Sequence, residues 1–360
     1  MRRAFMPTCP HLQGSLWQTP FLRAFFATII TMHITDINIF AALRNTEAGA
    51  FMFDYEYFGT GTFSISENMA LEELLLDESA RRRVATIRFW NVEKDAAVIG
   101  YGESKSNIKR EDDSFDIARR ITGGSHVQFD SNCLAYTFTV PRDGSFRYFN
   151  DMRKFFADKV EAALAELGID EVEADNKAST INVDSKVIAS HAIFWGTESA
   201  LMHGLILVNH YDADKIFERM LLKERRIGRH LYSEYGALKN MPVAADLMSG
   251  KVRGEIPKSN KTAYVKKMIS EQILKEIAGE RYKTRGLGTG DIEKAMGLVS
   301  QKHVGTPWLE SRSPSYTDSE AEAIPGEELA GELKKDLGYC MYIEVPDKDF
   351  AKMTLPEDEI

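Results

Sequence analysis

Residues Arg119 to Asp130 read RRITGGSHVQFD, and directly behind them Asn132 to Val140 read NCLAYTFTV. In the second stretch Leu134, Tyr136, Phe138 and Val140 recur at every other position, the period of a half-buried strand. The first stretch sets two arginines and a threonine beside two adjacent glycines. Gly123 and Gly124 let the backbone approach a ligand and expose its N–H groups, and arginine adds bidentate donors. A loop of this composition ahead of an apolar strand is a candidate cradle for a phosphate or carboxylate. By itself it is more often an ordinary turn.

Outward from this loop the pattern is regular. Ser64–Leu76 (SISENMALEELLL) carries a cap-like Ser66 and then Met69, Leu71, Leu74 and Leu75 at helical spacing. Thr86–Trp90 and Ala96–Gly100 read as short strands, and Leu205–Val208 as another. Asp151–Leu167 places Met152, Phe155, Phe156, Val160, Leu164 and Leu167 on one helical stripe that Gly168 ends. Strands mixed with helices predict an α+β domain, a mixed sheet with helices packed on it, over residues 52–250. The polar stretch Ser249–Lys261 reads as a break, with a linker at 251–261. Beyond it, Val265, Met268, Ile269, Ile273 and Ile277 predict a helix, and Asp291 opens another through Ile292, Ala295, Met296 and Val299. Asp318–Glu332 reads as a solvated acidic stretch and Tyr339–Val345 as a strand, which makes 262–360 a small α+β accessory domain.

Composition narrows the function classes. The 360 residues carry 45 basic and 54 acidic side chains, a net charge of −9 that disfavours nonspecific nucleic-acid binding. Cys9, Cys133 and Cys340 show no metal-ligand or redox spacing. The apolar run Phe21–Met32 is too short for a bilayer, so no membrane partner is expected. No acid precedes Asp36, while Arg2, Arg3 and Arg23 are basic, so residues 1–51 read as an N-terminal extension. It is either a mitochondrial transit peptide or a dispensable lead-in to a domain opening at Met52; otherwise the expected compartment is cytoplasmic.

The Arg119–Asp130 run resembles the RRxTGGGAVYHD signature of the lipoate–protein ligase family, within the biotin/lipoate ligase fold. Four further landmarks resemble that family in the same order: Arg88-Phe89-Trp90 with Ala97–Tyr101, then Asn132–Tyr136, then Val183–Ser190, then Met202–Val208. The resemblance implies a ligase that joins an acid such as lipoate to ATP as an acyl-adenylate. The acyl group then passes to a lysine of a lipoyl carrier domain from a 2-oxoacid dehydrogenase or a glycine-cleavage H-like protein. It implies Lys186 as the catalytic cation between the carboxylate and the α-phosphate. It also implies Arg88, Arg120, Thr122, Gly123, Gly124, Ser125, His126, Asn176, Ser190, His191 and His203 as substrate or nucleotide contacts. Mg2+ would arrive on the ATP phosphates, so no metal motif is needed in the chain.

The run also departs from the signature. Ser125 stands for the third glycine, His126 for alanine, Phe129 for histidine, Ala189 for glycine, His191 for a small residue and Lys177 for an aspartate. These changes leave two other readings open: a non-catalytic or altered-specificity binding protein of the same fold, and an octanoyl transferase. For a cysteine-dependent transferase the nucleophile would be expected near Ala178–Thr180, where this chain has none. Both His126 and His191 are expected to meet on neighbouring segments of one sheet. The glycine run Gly286–Gly290 follows a charged stretch and not a strand, which argues against a phosphate loop. The basic run Lys223–Arg229 reads as a solvated helix face.

Overall fold

The computed structural model describes residues 53–109, 113–221, 224–227, 230–233, 239–248, 256–257 and 259–312. The N-terminal extension, most of the expected linker, the acidic stretch and the Tyr339–Val345 strand lie outside them.

Eight strands form one mixed sheet in the order β13-β1-β2-β6-β10-β9-β8-β7. They are β1 (Tyr55–Phe63), β2 (Ala85–Val92), β6 (Cys133–Pro141), β7 (Val172–Asp175), β8 (Thr180–Val183), β9 (Lys186–Trp195), β10 (Ser199–Leu207) and β13 (Tyr282–Thr284). Only β1 runs parallel to its neighbours β2 and β13; the other pairs are antiparallel. A second sheet, β4-β3-β5, joins β3 (Ala96–Ile99) to β4 (Asp116–Arg119) and β5 (Val127–Phe129).

Alternation divides the large sheet into two faces. Ile87, Phe89, Leu134, Tyr136, Phe138, Met202 and Ile206 point to one side, against helix α2 (Phe149–Glu166). There they meet Met152, Phe156, Val160 and Leu164. Trp90, Ala135, Leu205 and Leu207 point to the other, against α1 (Ile65–Arg82) and the small sheet through Met69, Val98, Ala118 and Phe129. Both faces of β6 are therefore covered and all nine of its residues are buried, where alternation alone predicted a half-buried strand. The cap of helix α1 lies two residues earlier than Ser66: Ser64 caps Glu67 N–H, and the Glu67 carboxylate returns to Ser64 N–H at 2.9 Å.

Two short helices, α3 (Ala213–Arg219) and α4 (Ala244–Leu247), follow β10, and between them Glu224–Ile227 and His230–Ser233 form the hairpin β11–β12. Glu224–Ile227 of the basic run thus form a strand where a helix was expected. Helix α5 (Lys261–Ala278) places Val265, Ile269, Ile273 and Ile277 in the same core cluster as α2, and β13 extends the large sheet beside β1. The described part of the expected accessory domain thus shares the core of the domain before it. Its apolar stripe is completed by that core and not by a separate one.

Helix α6 (Thr289–Leu298) buries Ala295 and leaves Ile292 and Met296 about half exposed. A strand does precede its glycine run, contrary to the sequence expectation. The helix start is nevertheless already taken: Asp291 Oδ2 accepts Gly288 N–H at 3.0 Å and Arg285 binds the same carboxylate. An anion would meet a carboxylate there, so a phosphate-loop role is excluded on physical grounds.

Candidate functional site

The Arg119–Asp130 run leaves the small sheet at Arg119, forms an exposed loop over Gly123–Ser125, and re-enters the sheet at β5. Beneath it lies a buried polar chain. Trp90 Nε1 donates to Thr137 Oγ1 at 2.9 Å, and Thr137 donates to Glu72 Oε1 at 2.6 Å. Glu72 Oε2 accepts His203 Nδ1 at 2.7 Å, and His203 Nε2 meets Thr122 Oγ1 at 2.7 Å. Since Glu72 accepts at both oxygens, the network assigns the His203 proton to Nδ1 and lets the Thr122 hydroxyl donate to Nε2. The order hydroxyl–imidazole–carboxylate is that of a nucleophilic triad. Thr122, however, is 1% exposed and also accepts Arg120 Nε at 2.9 Å, so it braces the loop from below.

Arg120 does not stand free to clamp a phosphate, as the sequence had implied. Its Nη2 donates to the carbonyls of Gly123 at 2.7 Å and Ser125 at 2.8 Å, and Nη1 to Val98 O at 3.2 Å. Burial pushes its guanidinium down to about 10, against the opposing field of Glu103 and Glu72. The consequence lies in the peptide planes. With the Gly123 and Ser125 carbonyls drawn inward, the trans peptide turns the N–H groups of Gly124 and His126 outward. Among the described residues no acceptor takes the N–H groups of Gly123, Gly124, Ser125 or His126. Gly124, at φ +92°, completes the turn. A run of N–H groups without acceptors beside a buried cation is a candidate anion nest.

The loop is also pressed onto Gly100. A Cβ added there would lie 1.9 Å from the Gly124 carbonyl oxygen. Gly100→Ala is expected to lower the unfolding free energy by about 1–3 kcal/mol and displace the loop. Urea unfolding together with loop amide exchange checks both effects. His126 stands beside the nest with Nδ1 2.5 Å from Glu103 Oε1. Burial raises the Glu103 carboxyl, but His126, Asn107 and Gly100 N–H together outweigh it and hold the group below its ordinary value.

The other residues expected at the site fall elsewhere. Ser190 sits on β9 opposite Leu205, on the face that carries His203. Lys186 opens β9 at the Asp184-Ser185 hairpin, whose two residues have φ +49° and +60° as a tight two-residue turn requires. Its side chain is exposed and has no partner among the described residues. Asn176 lies in the preceding β7–β8 turn with Oδ1 buried and unpartnered. Arg88, on β2, is 1% exposed; it donates through Nη2 to Asn68 Oδ1 at 2.5 Å while Nη1 has no partner. Burial lowers it to about 10. Cys133 is buried, bonded to Asp130, and pushed well above the ordinary thiol range by burial, so it is no nucleophile.

His126 and His191 do not meet. His126 belongs to the loop of the small sheet, whereas His191 points from β9 to the α2 face with Ala189 and Ile193. The parity of β9 decides this: His191 is paired with Gly204, one residue out of phase with His203. Neither ring nitrogen of His191 has a partner, and burial, aided by Arg153, lowers its pKa to about 3. The unfolded histidine titrates near 6.5, so the unfolded state takes up a proton that the folded state refuses as pH falls below that value. Stability should fall between pH 6.5 and 5 by up to about 1.4 kcal/mol per pH unit from this group. His191→Gln should flatten that slope, as urea midpoints at the two pH values would show.

Sequence reasoning missed Glu72, Glu103, Arg119 and Trp308. Glu72 falls inside the apolar stripe of α1, and a buried acid there is visible only once β10 brings His203 beside it. Among the described residues no group of three or more His, Cys, Asp or Glu side chains could hold a metal, and no helix is long and apolar enough to cross a membrane.

Residues 64–231 match the family described as lipoyl protein ligase A/B catalytic domain. A lipoate–protein ligase 1 from Staphylococcus aureus is 23% identical over 257 residues, covering 69% of this chain and 71% of that protein. A sequence assigned as lipoate–protein ligase A from Aeropyrum pernix is 34% identical over 79 residues, only 21% of this chain and 30% of that relative. The structure of a lipoate protein ligase from T. acidophilum with bound lipoic acid aligns with a TM-score of 0.56 at 16% identity, over 71% of this chain and 98% of that one. A lipoate–protein ligase A bound with ATP aligns equally well, with a TM-score of 0.56 and the same coverage. The described fold is thus that of these lipoate protein ligase structures. Residues 64–231 carry the similarity to the lipoyl protein ligase family, and the chain resembles a divergent member of it.

Proposed function

We propose that the chain activates lipoate, or a related short acyl acid, with ATP and transfers it to a lysine of a lipoyl carrier domain. The observation that carries this reading is the candidate anion nest at Gly123–His126, whose inward carbonyls are held by Arg120 and whose N–H groups have no acceptor among the described residues. In the first step a carboxylate oxygen attacks the α-phosphorus and pyrophosphate leaves with its electron pair. In the second, the carrier amine attacks the acyl carbonyl, AMP leaves, and the amine proton goes to solvent. The nest receives the phosphate oxygens, and their growing charge is met by N–H dipoles already in place. Lys186 supplies the mobile cation between carboxylate and α-phosphate, a role for which an exposed, unpaired lysine on a hairpin is suited. Mg2+ enters with the triphosphate as part of the substrate.

The bound lipoic acid and ATP of the two aligned ligases support this choice of substrates, and a relative solved with its E2 lipoyl domain, aligned at a TM-score of 0.52, supports the choice of carrier. The expected result is a lipoyl amide on the lysine of a purified lipoyl domain incubated with the chain, lipoate and ATP, seen by intact-protein mass spectrometry. A lipoyl domain left unmodified when both substrates are present would count against the transfer step.

A further inference from the structure

The last described helix, α7 (Thr306–Ser311), lies outside residues 64–231 yet is tied to the glycine loop. Trp308 is fully buried in a slot formed by Leu76 of α1, Ile121 of the loop, Phe194 of β9 and Leu201 of β10. Its indole N–H donates to Arg119 O at 2.9 Å. Arg119 answers in kind: Nε donates to Trp308 O at 3.0 Å and Nη2 to Leu309 O at 2.5 Å. The same guanidinium donates through Nη1 to the carbonyls of Gly100, Tyr101 and Glu103 at 2.9, 2.9 and 2.6 Å. It therefore clamps α7 to the Gly100–Glu103 turn. That turn backs the nest: Gly100 abuts Gly124, and Glu103 holds His126 and accepts Gly100 N–H at 3.2 Å. From the far side, Lys302 lies 3.9 Å over the indole while its ammonium binds Glu73 on α1.

From this geometry we infer that Trp308 is a positioning residue for the activation step. Seated in its slot, it fixes Arg119, and through Arg119 the Gly100–Glu103 turn and the glycine loop, in the form that receives phosphate. The inference rests on the reading of the loop as the ATP site given above. Burial of one indole could by itself only stabilise the domain. The reciprocal bonds to Arg119 are what route its effect to the loop.

The test uses the full chain with Trp308→Ala, Trp308→Phe and Arg119→Lys, read by ATP–pyrophosphate exchange and by amide hydrogen exchange. Trp308→Ala should raise the KM for ATP about ten- to a hundredfold, the cost of a misplaced binding loop, with a much smaller change in the KM for lipoate. Amide exchange should quicken over 100–104 and 120–126 and stay unchanged in α2. Trp308→Phe refills the slot and keeps the carbonyls that Arg119 binds but loses the indole N–H, so its KM for ATP should fall between those of Trp308→Ala and wild type. Arg119→Lys should reproduce the defect, since an ammonium cannot span both sets of carbonyls, and it carries the test if the alanine variant does not fold. A fall in kcat with unaltered KM for ATP, or loop exchange equal to wild type, overturns the inference. If the wild-type chain shows no pyrophosphate exchange, the activation reading fails instead, and amide exchange alone decides whether α7 sets the loop.

Discussion

Lys186→Ala is expected to cut acyl-adenylate formation by about 10²–10³-fold while leaving the folding free energy within about 0.5 kcal/mol of wild type. The two halves of that result have separate physical sources. Lys186 is exposed at the β8–β9 hairpin and makes no described hydrogen bond or ion pair, so its removal costs the fold almost nothing. If it delivers the charge between two anions, its removal costs the chemistry a cation that water replaces poorly. Pyrophosphate exchange and urea unfolding on the same sample separate the two. Full activity in the variant would mean that the match of Val183–Ser190 to the lysine segment of the ligase family is wrong, and not merely the role of Lys186.

Glu72→Ala is expected to act in the opposite manner, through the fold. The carboxylate is 1% exposed and receives both Thr137 and His203, and it is the acid whose field most supports the buried Arg88. Alanine leaves a donor of each partner, and a buried cation, without compensation. Removing one member of a buried charged pair typically costs about 3–5 kcal/mol, a large share of the roughly 5–15 kcal/mol that holds a domain together. Glu72→Gln, whose carbonyl still accepts one of the two bonds, should cost distinctly less. Denaturant midpoints of the two variants give the comparison, and equal, small effects would show that the chain from Trp90 to Thr122 is not a connected network.

Much of the fold was legible along the chain. The strand periods, the α2 stripe and the Gly168 stop all appear where alternation and helical spacing put them, because each is set by residues a few positions apart. The glycine loop was legible for the same reason, since its conformational demand is local. What could not be read was the division of labour between its arginines. Arg119 and Arg120 are neighbours of identical chemistry, yet one turns outward to α7 and the other inward to the loop carbonyls. Only the partners at residues 308–309 and at 98 settle which is which. His191 failed for a related reason: a one-residue difference in strand parity moves a side chain to the other face of the sheet, and no local signal marks that parity. The region after 261 looked separate because its apolar stripe has a helical period of its own, while the surface it covers, formed by β1, β6 and α2, is distant in sequence.

The central claim is that the nest at Gly123–His126 serves carboxylate activation by ATP, and ATP–pyrophosphate exchange in the absence of any carrier domain tests it most directly. The account predicts exchange that requires lipoate or a related short acyl acid, disappears when the acid is omitted, and falls by about 10²–10³-fold in Lys186→Ala. A folded chain that exchanges no pyrophosphate with lipoate, octanoate or biotin would contradict it.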